Sequence, residues 1–444
     1  MQDFIISNRK YRRLLQLVIA AGFALIAWVS VTPMAPVQAA EELGSAPTVV
    51  MTGELTSTLF LPMITNDYVR LATRMGYDAA QYPITRYPAL RDLQAGWYVD
   101  WTVQIPPVRP GGMEHAQGVR VHQKLVCGDF QNGNRSACPY AQPLDYIFYP
   151  DQATIETAAK ASPGDLWLIG NEMDRVDWTY CAVNMNPCPS EQVKQAGQDE
   201  ILPESYARAY HDLYAIIKNA DPTARIAIGG IIQATPLRLQ YLSLIWDAYH
   251  TLYGADMPVD IWNVHNFIVR EKKNEYGADV PPGLPNNPTV GEYTDNDWTH
   301  IDRTIFDRQI RAFRQWMKDR GQQDKQLIVS EYGMLYHHCV EYDKKGVCVK
   351  DLNNKQVALD FMTWTFDYFL NTRDCDLGLA TDDCHLVQRW TWFGLDIVGT
   401  DSAGNVSFGH NEHTSLFNST TLQMTEAGTL FKQFVQNNFD ALAK

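Results

Sequence analysis

The stretch Leu166-Trp167-Leu168-Ile169-Gly170-Asn171-Glu172 decides how this 444-residue chain is read. Four bulky apolar residues run without a polar break, a glycine follows, and the run ends on an amide and a carboxylate. A short run of this kind suits a parallel strand buried on both faces. A second run, Gln326-Leu327-Ile328-Val329-Ser330-Glu331-Tyr332-Gly333, repeats the pattern and carries its own carboxylate at the same place. In α/β folds the C-terminal ends of such strands form the rim that carries the chemistry. Two glutamates on one rim suit cleavage of a glycosidic bond, which needs one proton donor and one nucleophile or base. A carboxyl separation of about 5–5.5 Å implies retention of configuration, and roughly 6.5–9.5 Å implies inversion.

Outward from these runs, the pattern predicts further strands at 96–101, 118–122, 145–149, 225–230, 259–265 and 387–393. Helices are predicted at 151–162, 205–219, 237–253, 302–320, 355–370 and 426–442. Phe306, Ile310, Phe313 and Met317 share one face of the fourth of these. Eight strands mostly alternating with helices predict a (β/α)8 barrel over 93–444. The connections 102–117 and 124–144 show no helical period, so the first third of the barrel is expected to be irregular. Residues 41–92 read as an N-terminal extension or linker, with a short helix near 67–82.

The amino terminus reads as an export signal over 1–40. Arg9, Lys10, Arg12 and Arg13 precede an apolar stretch, and Ala39-Ala40 offers small residues for cleavage. An uncleaved anchor holding the protein at the cell envelope is the rival, since the stretch approaches spanning length. The cleavage site favours a secreted protein with no stable membrane span. The formal charge is −14; four basic residues and one acidic residue lie in 1–40, so the rest carries 33 against 50, near −17. Such a balance excludes a general attraction to nucleic acid and fits a neutral partner such as a glycan. The eight cysteines fall into close pairs, Cys127 with Cys138, Cys181 with Cys188, Cys339 with Cys348 and Cys375 with Cys384. In an exported chain these predict four disulfides.

At the two glutamates the chain resembles the clan A retaining glycoside hydrolases, marked by Asn-Glu at the end of strand 4 and Glu at the end of strand 7. That resemblance implies Glu172 as acid/base, Glu331 as nucleophile and Asn171 as a ligand of the substrate 2-hydroxyl. It further implies Trp392, or Trp390, as the floor of the subsite on strand 8, His265 beside the nucleophile, and Arg120 steadying it. Strand 6 continues His265-Asn266-Phe267 without the frequent Tyr, so Tyr332 or a loop tyrosine is expected to substitute in orienting Glu331. Trp97 and Trp101 are candidates for core or cleft wall. The acid/base is expected to have a raised pKa and the nucleophile to stay ionised. The implied substrate is a β-linked polysaccharide or oligosaccharide, with a β-glucan the first choice, and no cofactor or metal is called for.

Two rivals share these residues. A barrel that binds carbohydrate without cleaving it would use the same pocket. A metal-dependent hydrolase would use His337-His338-Cys339 or His410-Asn411-Glu412-His413, although none of the cysteine pairs has zinc-knuckle spacing. No Gly-x-Ser-x-Gly elbow occurs, which disfavours an α/β-hydrolase esterase.

Overall fold

Eight strands close a ring in which every neighbour runs parallel: β1 (Ala72–Asp78), β2 (Ala95–Val99), β3 (Glu114–Gln123), β5 (Leu166–Asn171), β6 (Arg225–Gly230), β7 (Ile261–His265), β8 (Gln326–Glu331) and β11 (Arg389–Trp392). This is a (β/α)8 barrel. The computed structural model describes residues 71–80, 82–126, 138–176, 198–275, 277–397, 411 and 413–443. The expected signal segment, Cys127 and the Cys181–Cys188 pair lie outside the described residues. Among those described, no helix is long and apolar enough to cross a membrane.

The ring corrects the sequence reading at its start. Its first strand is β1, inside the expected extension 41–92 and where a short helix was expected, so the barrel begins before residue 93. The pattern hides β1 because Arg74, Gly76 and Asp78 alternate with the buried Met75 and Tyr77. Gly76 is required by contact, since a Cβ there would sit 2.4 Å from the Trp97 carbonyl oxygen on β2. The segment expected as the third barrel strand is β4 (Tyr146–Tyr149), which pairs antiparallel with β3 outside the ring. From β5 onward the expected strands take their expected places.

The first two crossovers contain no α-helix among the described residues. Short 3-10 turns at Ile84–Arg86, Leu90–Leu93 and Pro110–Gly112 stand in for helices. Helices follow at Gln152–Ala161, Pro203–Ala220, Pro236–Tyr253, Arg303–Lys318, Lys355–Asn371, Glu426–Asn437 and Phe439–Leu442. Side-chain caps fix several starts: Asp151 accepts from the Thr154 N–H, Asp302 from Thr304 and Ile305, and Thr425 from Gly428. The apolar face of Arg303–Lys318 is buried through Phe306, Ile310, Phe313 and Met317. After β8 the hairpin β9 (Cys339–Tyr342) and β10 (Cys348–Asp351) is pinned by the Cys339–Cys348 disulfide, and Cys375–Cys384 closes a second loop.

Two apolar layers hold the barrel. The larger lies between ring and helices; the smaller fills the ring with Trp97, Val99, Ala116, Leu166, Leu168, Ala227, Ile261 and Ile328. The N-terminal end is closed by charge. Glu114 accepts from Arg389 at 2.7 Å and also from Arg225, and the Arg389 guanidinium lies 4.4 Å above the Trp97 ring. Burial alone would raise the Glu114 pKa, but Arg389 and Arg225 hold it below the usual carboxylate range.

Candidate active site

At the opposite rim, three strand ends bring Glu172, His265 and Glu331 together. Glu331 is the last residue of β8 and registers with His265, the last of β7. Glu172 directly follows β5; its N–H donates to the Gly230 carbonyl at 2.9 Å, and its φ of 48° turns the backbone into the left-handed region. Gly230 makes room for this meeting, because a Cβ there would lie 2.2 Å from the His265 ring. Each of the three side chains offers an oxygen or nitrogen within 4.8 Å of the others. His265 Nδ1 lies 3.4 Å from Glu172 Oε1 and 3.6 Å from Glu331 Oε2. All three are almost completely buried.

Arg175, which sequence reasoning missed, completes the group. Its Nη1 donates to Glu172 Oε2 at 2.6 Å and its Nη2 to the Gly277 carbonyl at 2.8 Å, tying the turn after β5 to the loop after β7. The three-residue spacing from Glu172 was its only sequence signal. Asp78 was missed along with β1: it is fully buried near the rim, beside Thr391 of β11.

The electrostatics of the site reverse the expected order. Burial would raise the Glu172 pKa, but Arg175 and His265 bring it down to about 2. Burial pushes Glu331 up to about 8; His265 opposes this, while the negative charges of Glu172 and Asp78 add to it. His265 is lowered by burial, yet Glu331 and Glu172 bring it above its ordinary value. Burial likewise raises Asp78 well above the carboxylate range. Arg175 and His265 thus favour the charged form of Glu172, while burial and the neighbouring carboxylates disfavour that of Glu331.

Of the other expected residues, Asn171 stands next to Glu172, with its N–H donating to Asp199 at 2.9 Å. Three expectations are corrected, and for Trp97 the core alternative holds. Arg120 does not steady Glu331; it pairs with Asp199 at 2.6 Å, which also accepts from the Val121 N–H and so ties β3 to β5. Trp392 and Trp390 do not floor the mouth, because both point outward from β11. Trp392 packs on Tyr332 and Phe366, Trp390 on Phe369, and neither is exposed. Tyr332 is turned the same way, against Phe306 and Phe369. Trp97 belongs to the interior of the ring. A chain of aromatic contacts runs instead from the His265 ring, met edge-on by Phe267, through Phe393 to Trp101, each pair about 6 Å apart between centroids.

In the histidine-rich segments that the rival metal reading would use, described residues have other partners. Cys339 is in a disulfide, His338 pairs with Asp297 at 3.1 Å, and His413 meets the Asn353 carbonyl at 3.2 Å; His410 and Glu412 lie outside the described residues. Glu172, His265 and Glu331 offer ligand chemistry that a divalent cation could use, but the guanidinium of Arg175 already supplies a cation to Glu172.

No protein-family model matches this chain, and no curated protein matches it. Solved structures similar to it include glycoside hydrolases. One is an endo-β-1,3-glucanase of glycoside hydrolase family 128 from Amycolatopsis mediterranei, 14% identical with a TM-score of 0.41, covering 81% of this chain and 98% of that one. Another is a family 39 glycoside hydrolase from Bacteroides cellulosilyticus, 12% identical with a TM-score of 0.43, covering 83% of this chain and 64% of that one. A third is xylanase 10B from Thermotoga petrophila, 12% identical with a TM-score of 0.38, covering 84% and 96%.

Proposed function

We propose that this protein is a secreted retaining glycoside hydrolase that cleaves a β-linked polysaccharide or oligosaccharide, with Glu331 as nucleophile and Glu172 as acid/base. The observation that carries the reading is that one oxygen of each carboxyl group lies within 4.8 Å of the other on the rim of a closed barrel. An approach this close is compatible with direct attack by a carboxylate, the retaining arrangement. Glu331 would attack the anomeric carbon as the glycosidic C–O bond breaks and Glu172 gives its proton to the leaving oxygen. Glu172, now a carboxylate, would take a proton from water, which displaces Glu331 and releases the sugar. His265, within reach of both carboxyl groups, suits the proton exchange that the site requires before the first step. The Cys339–Cys348 and Cys375–Cys384 disulfides suit an oxidising compartment, as a secreted protein needs. A β-glucan remains the first substrate to try.

The test is Glu331→Gly assayed on activated aryl β-glycosides and β-glucan oligosaccharides, with and without azide. The reading expects turnover to collapse and azide to restore it, giving a glycosyl azide of inverted configuration. Wild-type-like turnover in the variant would reject Glu331 as nucleophile. Glycan binding with no sugar released by the wild-type protein would favour a binding-only barrel.

A further inference from the structure

Arg175 holds the group that the proposed reaction needs free. Its ion pair with Glu172 measures 2.6 Å, and the Glu172 side chain is only 3% exposed. A carboxylate held in this way has no proton to give a leaving group. The other buried arginines of this rim have carboxylates without a proposed catalytic role. Arg120 pairs with Asp199, while Arg238 pairs with Asp174 and Glu271, each at 3.0 Å. Among the described residues, Arg175 has one carboxylate partner, Glu172, and shares it with the chemistry. Its Nε–H is also buried with no acceptor. The guanidinium therefore has one unused donor, and a second that must change partner before Glu172 can act.

A neutral sugar offers hydroxyl groups, which are weak replacements for a carboxylate on a buried guanidinium. An anionic oxygen is an equal replacement, and a two-oxygen group can match the guanidinium fork. We propose that Arg175 is the receptor for an anionic substituent on the substrate, a carboxylate or a sulfate ester close to the scissile bond, and that taking up this group is what frees Glu172. This deepens the glycosidase reading and rests on it. The sequence of events is an exchange of partners: the substrate anion pairs with Arg175, and Glu172 loses its cation and becomes the more basic carboxylate. The proton resting on Glu331 then passes to Glu172, within reach of His265, and Glu331 is left ionised to attack. A charge-neutral glycan leaves Arg175 on Glu172 and the proton on the wrong carboxyl.

The experiment compares matched β-linked substrates on the full chain: a neutral glycoside, its uronate counterpart and its sulfate ester, each with wild type, Arg175→Gln and Arg175→Lys. In the wild type, kcat/KM for one of the two anionic substrates should exceed that for the neutral one by about 100-fold. The arm that responds tells carboxylate from sulfate. Arg175→Gln should bring the anionic-to-neutral ratio close to one, and Arg175→Lys should restore part of it because the charge returns without the fork. Thermal melts of the variants show that they are folded, and loss of fold alone would not change the ratio. Equal turnover of neutral and anionic substrates by the wild type, or an unchanged ratio in Arg175→Gln, overturns the assignment of Arg175 and leaves the glycosidase reading standing. No cleavage of any of the three, together with no labelling of Glu331 by 2-fluoro glycosides, would instead remove the glycosidase reading and this proposal with it.

Discussion

At the N-terminal end of the barrel, Glu114 faces Arg225 and Arg389, and the Arg389 guanidinium rests on Trp97. At the C-terminal end, Arg175 pairs with Glu172 and the Gly277 carbonyl, while among the described residues Arg175 Nε and Glu331 Oε2 make no hydrogen bond, His265 Nδ1 standing 3.6 Å from the latter. Both ends bury charge inside the same ring of strands. One end is matched and makes a plug; the other is undermatched, which stability alone would not favour. Unpaired buried groups of this kind mark a place where a ligand supplies the missing partners. The contrast separates charge that closes a barrel from charge that is available for chemistry.

The largest break in the comparison should come at the mouth. Glu172→Gln should lower kcat by about a thousand-fold or more on substrates with poor leaving groups, and much less on activated aryl glycosides that need no proton; steady-state kinetics on the two kinds of leaving group checks this. The same change at the plug should do the reverse. Glu114→Gln strands two arginines, so it should cost about 3 kcal/mol in urea unfolding while leaving kcat/KM of the folded protein near wild type. Gly230→Ala tests the packing that brings the site together. Its Cβ would collide with the His265 ring, so activity should fall by about 10–100-fold with a stability loss of about 1–3 kcal/mol, read from kinetics and melts on one preparation.

The smallest effect is a pH slope. Glu331 has its pKa raised to about 8 in the folded protein. Between an unfolded value of about 4.5 and this folded one, the folded state holds the proton that the unfolded state has lost, so stability falls as pH rises through that window. Glu331→Gln is neutral throughout. Its melting temperature relative to wild type should therefore climb from pH 5 to pH 8 and level off above that. A flat difference would show that Glu331 is ionised in the folded protein.

The sequence was most legible where strands are apolar on both faces. The runs ending at Glu172 and Glu331 are of this kind, and so they identified both the barrel and its two carboxylates. β1 was illegible because its inward positions are Arg74, Gly76 and Asp78, a polar series that reads as surface. The tryptophans of β11 failed for a different reason. In a strand, adjacent side chains face opposite ways, and a one-residue difference decides whether an aromatic meets the mouth or the helices. Trp390 and Trp392 sit on the helix side with Thr391 between them. Tyr332 fell on the same side. Arg175 carries no pattern of its own, since a single arginine after a glutamate is common and only the fold reveals what it touches.

The ring is sealed by β1 against β11, with Met75 level with Trp390, so its two closing strands come from opposite ends of the polypeptide. During synthesis β2 follows β1 almost at once, but the other edge of β1 stays open until nearly the whole chain has left the ribosome. Throughout that interval a bare strand edge is available to any neighbouring nascent chain. Premature termination before Arg389 should therefore give aggregates in place of a smaller soluble barrel, and only chains that reach the last strand can become monomeric.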